Sequence, residues 1–167
     1  MSQEELEYVG FWPRVGAAII DSIVIIAVTT PILISIYGWT YYEPGPEAPI
    51  IAGPLDFLIT WIFPAVAIIL FWRYKQATPG KMVISARIVD AETGQPASTG
   101  QLIGRYLGYY VSTIPFLLGL IWVAFDRRKQ GWHDKLAGTV VVRPRYLALE
   151  PAVFRAAQTN DNQQPEP

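Results

Sequence analysis

The chain has 167 residues, 51% hydrophobic and 16% charged, where an ordinary soluble domain is roughly 25% charged. Its 13 Lys and Arg nearly balance 14 Asp and Glu for a net charge of -1, which gives no electrostatic reason to expect nucleic acid or an anionic substrate. With no cysteine, disulfides, thiolate metal sites and cysteine nucleophiles are excluded, and a membrane protein becomes the first expectation.

The first long apolar stretch is GFWPRVGAAIIDSIVIIAVTTPILISIY, residues 10–37, whose only charged side chains are Arg14 and Asp21. At about 1.5 Å per residue a helix over 15–37 reaches about 34 Å, enough to cross a hydrocarbon core of about 30 Å. Glu4, Glu5 and Glu7 stand where a signal peptide would carry basic residues, so the segment is expected to be retained rather than cleaved. Pro31 removes one helical hydrogen bond and predicts a bend.

Residues 38–54, GWTYYEPGPEAPIIAGP, combine Gly, Pro and aromatics with no Lys or Arg, the pattern of a loop with an interfacial belt. Residues 55–73 form a second expected span, interrupted at Pro64 and ending in the basic and aromatic anchor WRYK. Residues 76–101 then mix β-branched and charged side chains. A short strand is predicted over 82–90 before the turn Glu92-Thr93-Gly94, with residues 137–143 as its pairing partner in a small β element outside the bilayer.

The third apolar segment, 102–125, contains Arg105 and is interrupted by Pro115 and Gly119. Basic residues decide how it is read. The first loop has none, whereas Arg73, Lys75, Lys81 and Arg87 surround the second, so the second loop and the N-terminus are expected in the cytoplasm. A single kinked third span would place Arg127, Arg128, Lys129, Lys135, Arg143 and Arg145 on the outside, against the same rule. A re-entrant hairpin returning near residues 112–119 removes that conflict and is the favoured reading; the kinked span is the alternative. The fold class is thus an all-α membrane protein with two full transmembrane helices, a Pro/Gly-broken third segment and a small cytoplasmic β element. A membrane domain over 1–145 precedes a polar tail, 146–167, expected to be mostly disordered.

Three motifs, GFWPRVGAAIID, TPGKMVISARIVD and DRRKQGWHDKLAGTVVV, occur in the order and approximate spacing of the RDD family of small bacterial integral membrane proteins, which the chain resembles over residues 10–143. The resemblance implies a multi-span membrane protein involved in transport. The family's arginine matches Arg14 and its first aspartate Asp21. Asp134 matches the second aspartate, with Asp126 as the weaker alternative.

Arg14 and Asp21, seven residues apart, share a helical face about 10 Å apart along the axis, too far for a direct i,i+4 pair. Arg14 lies at the interface, where it snorkels to headgroups or binds a phosphate. An isolated ionised aspartate at the depth of Asp21 costs about 2.5–3.5 kcal/mol on insertion scales, so it calls for a proton, a bound ion or a cationic partner. Arg105 is the partner the sequence suggests, as a clamp between helices. A cation or proton site and a protonated packing residue remain open beside it.

His133 adjoins Asp134, but neighbours on a helix do not face each other and no second histidine or nucleophile motif accompanies them. A structural role is expected, with Asp134 capping a helix or pairing with a basic residue. One histidine is also too few for a His-rich metal site. The overall expectation is a non-enzymatic inner-membrane protein without a cofactor that transports or exchanges a small solute or ion. Its partners are the bilayer and, since so small a chain cannot enclose a full pathway, a second copy or another membrane protein. The alternative is an accessory or scaffold protein whose polar residues only assemble its helices.

Overall fold

The computed structural model describes residues 6–43, 45 and 50–145; the expected disordered tail lies outside the described residues. Strand β1 (Leu6–Tyr8) leads into helix α1 (Phe11–Tyr37). Pro13 falls in the first turn, where its missing N–H has no intrahelical acceptor to lose. Pro31 lies inside α1 without ending it. A 3-10 turn, Trp39–Tyr42, follows.

The second span opens with α2 (Pro54–Phe57), passes through a π turn, Leu58–Ile62, and continues as α3 (Phe63–Lys75). In an α-helix the Pro64 ring would press on the carbonyl four residues earlier. The π turn widens the backbone just there, with the Phe63 N–H donating to the Leu58 carbonyl, so the expected interruption at Pro64 takes this form. Asp56 is buried at the end of this span away from the sheet. It accepts from the Tyr41 hydroxyl at 2.7 Å, the Ala52 N–H at 2.7 Å and the Thr60 hydroxyl at 2.8 Å, and so ties the first loop to the span.

The strand predicted over 82–90 is shorter than expected. Its first part is instead helix α4 (Pro79–Val83), and β2 covers only Arg87–Asp90. Thr78-Pro79 sets an extended residue before a proline at the first helical position, a start that overrides the β-branched residues behind it. The expected pairing holds: β2 runs antiparallel to β3 (Thr139–Pro144), with Val89 opposite Val140. The sequence reading missed that β1 pairs with the other edge of β3, Tyr8 opposite Val142, giving the order β1-β3-β2. Val9, Trp72, Ala86, Ile88, Leu102 and Val141 form a small core where this sheet meets the helix ends.

Helix α5 (Thr99–Thr113) begins at a reciprocal cap between Ser98 and Gln101. The chain then turns by 114° into α6 (Leu118–Ile121) and a 3-10 turn, Trp122–Ala124. Phe116 and Leu117 adopt left-handed backbone angles at the turn, and Ile114 and Phe116 project from its tip. Gly119 permits the close return, since a Cβ there would lie 2.6 Å from Ser112 Cα.

The sheet fixes the connectivity relative to the bilayer. Its three strands precede α1, follow α3 and follow α6, so hydrogen bonding among them requires all three to lie on one membrane face. Two crossings, by α1 and by the α2–α3 rod, satisfy this, and the α5–α6 segment must return to the face it left. Both long spans are apolar and mostly exposed, an arrangement that is stable with hydrocarbon around it.

Single cysteines introduced at Glu92 and Arg127, both exposed, should therefore share one accessibility to a membrane-impermeant thiol reagent, with a cysteine at Ile50 showing the opposite one. Opposite labelling of the first two positions would establish a third full crossing.

Candidate functional site

Asp134 sits at the first turn of α7 (Trp132–Leu136), fully buried. Its Oδ2 accepts from Arg14 Nη1 at 2.5 Å and from the Gly131 N–H at 3.1 Å, while Oδ1 accepts from Arg105 Nη1. Arg14 also donates through Nε to the Val9 carbonyl at 3.0 Å and through Nη2 to the Lys129 carbonyl at 2.6 Å. Arg105 further reaches the Thr139 hydroxyl at 2.7 Å. Burial works to raise the Asp134 pKa, but the two guanidinium groups outweigh it and hold the carboxyl well below the usual carboxylate range.

Both roles expected for Asp134, helix cap and ion-pair partner, are therefore met. The expected pairing of Asp21 with Arg105 is not formed. Arg105 lies on the face of α5 that packs against α7, so its guanidinium goes to Asp134. It is fully buried, and its Nε and Nη2 have no hydrogen-bond partner among the described residues. The rings of Trp72 and Tyr109 flank it at 5.5 and 5.9 Å, where their π faces attract the cation. Arg14 is also bound by protein groups rather than left to headgroups.

Asp21 turns to α4 instead. Its Oδ2 accepts from the Thr78 hydroxyl at 2.5 Å and its Oδ1 from the Gly80 N–H at 2.7 Å. Thr78 occupies the N-cap position of α4 but makes no cap bond of its own, so Asp21 caps this short helix from another element. The contact requires glycine: a Cβ on Gly80 would stand 2.0 Å from the Ala17 carbonyl oxygen. Thr78 and Gly80 were missed because the segment was read as leading into a strand, although Thr-Pro is a legible helix start.

His133 is buried and stacks on Tyr109 at 4.1 Å. Its Nδ1 lies 3.3 Å from Ser112 Oγ, which also accepts the His133 backbone N–H at 3.0 Å. Its Nε2 comes within 3.6 Å of Asp134 Oδ2, nearer than adjacency on a helix suggested. Burial pushes the imidazole down to about 3, the Asp134 charge opposing and Arg105 and Arg14 reinforcing that shift, so it is neutral at physiological pH. Asp126 stands apart. It pairs with Lys135 at 2.5 Å and accepts the Arg128 and Gln130 N–H groups in the turn before α7.

A cavity of about 520 Å³ lies between α1, α3 and α5, closed by α4 on the sheet side. Its volume falls in the roughly 300–1,000 Å³ range of small-molecule sites. Asp21, Thr78 and Lys81 line its sheet-side end, and Asp21 and Lys81 are its charged lining residues among the described residues. Val24, Val28, Phe63 and Phe71 line the remainder and are themselves exposed, which opens the cavity sideways toward hydrocarbon. Lys81 was not a candidate on sequence alone.

The RDD family model matches residues 8–138. The chain is 33% identical to YxaI of Bacillus subtilis over 147 residues, covering 80% of this chain and 95% of that protein. It is 29% identical to YteJ, a membrane protein of the same organism, over 83% of this chain and 82% of that one. A protein of Rickettsia prowazekii is 43% identical over 75 residues, 45% of this chain and 41% of its own length, so the match spans less than half of that relative. No solved structure matches the chain.

Two predictions follow from the buried charges. Asp134→Ala should lower stability in detergent by about 3–5 kcal/mol, because it leaves the buried Arg105 guanidinium without its carboxylate, whereas Arg105→Ala should cost less, because Arg14 still pairs with Asp134. The double variant should lose less than the sum, and additive losses would show that the two do not couple.

Acid should act through His133. Between pH of about 6.5 and 3 the unfolded chain binds a proton that the folded one does not, so stability falls as pH drops through that window, by up to about 1.4 kcal/mol per unit. Thermal midpoints from pH 7 to 5 should show this decline, and His133→Gln should flatten it. An unchanged slope in that variant would assign the acid sensitivity to another group.

Proposed function

Since the chain belongs to the RDD family, we propose that it is a multi-pass inner-membrane protein that takes a small solute or ion into the cavity beside Asp21 for transport or exchange. One observation carries the reading: a carboxylate and an ammonium, Asp21 and Lys81, line the sheet-side end of an otherwise largely apolar space. Ionisable groups of membrane proteins that face a cavity mark substrate and ion pathways.

The sheet side is the cytoplasmic side in this reading. Arg73, Lys75, Lys81 and Arg87 lie there together with Arg127, Arg128, Lys129 and Lys135, while residues 38–54 carry no Lys or Arg, which is the asymmetry of the positive-inside rule. The cavity begins near Ala18 and reaches Val28 on α1, just past the middle of that helix, so it stops short of the far face. Passage across the remainder calls for a second copy or another membrane protein. The reading is non-enzymatic: Ser112, His133 and Asp134 adjoin one another, but all three are buried, and Gly119 closes over Ser112, so they act as a packing contact.

An accessory or scaffold role is favoured by a different observation. Both Asp21 oxygens already accept hydrogen bonds from α4, as they would in a purely structural clasp.

Substitution at Asp21 separates the two. In proteoliposomes with an imposed sodium or potassium gradient and a trapped pH indicator, Asp21→Asn should abolish ion flux under the transport reading, while Asp21→Glu retains part of it, because Asn keeps the shape but neither ionises nor titrates. Flux at the wild-type rate with unchanged pH dependence in Asp21→Asn would make the scaffold reading the better one.

A further inference from the structure

The cavity's sheet-side end has more hydrogen-bond donors than the protein satisfies. Lys81 is 9% exposed, and its Nζ makes one long contact, 3.5 Å to Thr78 Oγ1. An ammonium has three N–H groups, so two are left over, and among the described residues no carboxylate lies within ion-pair distance of it. The Thr78 hydroxyl, which donates to Asp21, accepts from Lys81 only at that long distance. Trp72, 3% exposed, also lines the cavity, and its buried Nε1–H has no hydrogen-bond partner among the described residues. Asp21, the one lining carboxylate among the described residues, has both oxygens engaged by Thr78 and Gly80. A buried ammonium short of acceptors is costly, and the group that satisfies it is rich in acceptors and carries negative charge.

The rest of the cavity selects what that group is attached to. Val24, Val28, Ala67, Ile68 and Phe71 line an apolar path open to the hydrocarbon. Lys81 lies just beyond the basic and aromatic Arg73–Lys75 end of α3, the level at which a bilayer places its phosphates. A water-soluble anion gains nothing from such a wall, whereas an acyl chain entering sideways from the leaflet does.

We propose that the cavity is a site for one phospholipid of the sheet-side leaflet, with its phosphate on Lys81 and one acyl chain along the groove between α1 and α3. This rests on reading the cavity as the protein's binding site and names the class of its occupant. Lys81 is the specificity-determining residue, and Asp21 holds α4 so that the ammonium faces the cavity.

The test uses the full chain in a mild detergent, titrated with dioleoylphosphatidylglycerol and followed by native mass spectrometry, with thermal midpoints recorded beside it. One lipid per chain should bind, and Lys81→Gln should weaken it at least about tenfold, as expected for loss of a charge-assisted contact. Ala67→Trp, which fills the apolar path without touching Lys81, should abolish binding and decides the matter should Lys81→Gln fail to fold. Dioleoylglycerol, which lacks the phosphate, should not compete. Wild-type affinity in Ala67→Trp or in a folded Lys81→Gln, or equal competition by dioleoylglycerol, overturns the proposal. Lipid binding without sodium or potassium flux would sink the ion reading alone; flux without lipid binding would sink this one alone.

Discussion

Asp134 is one carboxylate shared by two arginines from different helices, and most of the fold meets at it. Arg14 brings α1 and the end of β1 through Val9, Arg105 brings α5 and β3 through Thr139, and the backbone of Gly131 brings the start of α7. Desolvating such charges is unfavourable in itself. It is tolerable because the carboxylate faces two cations, and because the remaining guanidinium surface of Arg105 lies against Trp72 and Tyr109 rather than against aliphatic side chains. The neutral state of His133 belongs to the same balance: a third cation beside two arginines would add repulsion that one carboxylate does not offset.

This clasp explains why the third apolar segment turns back. Asp134 follows the hairpin, and Arg14 lies in the first turn of the first span, yet the two are in contact. A single crossing by the third segment would put Asp134 on the face opposite Arg14 and β2. The close return is made possible by Gly119 against Ser112, and His133 then hydrogen-bonds Ser112 through its backbone. The hairpin is therefore held at its tip by small residues and at its base by charge.

Asp21 performs the analogous service one layer deeper. It caps α4, draws that helix onto α1 through Gly80, and so brings Lys81 to the end of the cavity. The two aspartates divide the work: Asp134 joins ionised partners in the compact base, and Asp21 uses neutral donors at the membrane boundary. The consequence is a cavity with surplus donors at one end and hydrocarbon on the other side, which is the basis for assigning it an anionic, chain-bearing occupant.

Hydropathy and charge placement by themselves determined the two spans, the broken third segment and the separation of basic from non-basic loops, because burying a long apolar helix in lipid depends on composition over some twenty residues and hardly on partners. The pairing of residues 82–90 with 137–143 was likewise legible from β-branched runs, though only Arg87–Asp90 forms strand, since Thr-Pro starts a helix before it. The motif also marked Arg14, Asp21 and Asp134. What only the tertiary structure decided was who meets whom. Arg105 pairs with Asp134 and not Asp21, β1 completes the sheet, and Thr78, Gly80 and Lys81 surround Asp21. A charge's partner depends on which helix faces touch and on a few ångströms of approach, and a glycine at position 80 decides that by leaving room for a backbone contact no periodicity in the sequence encodes.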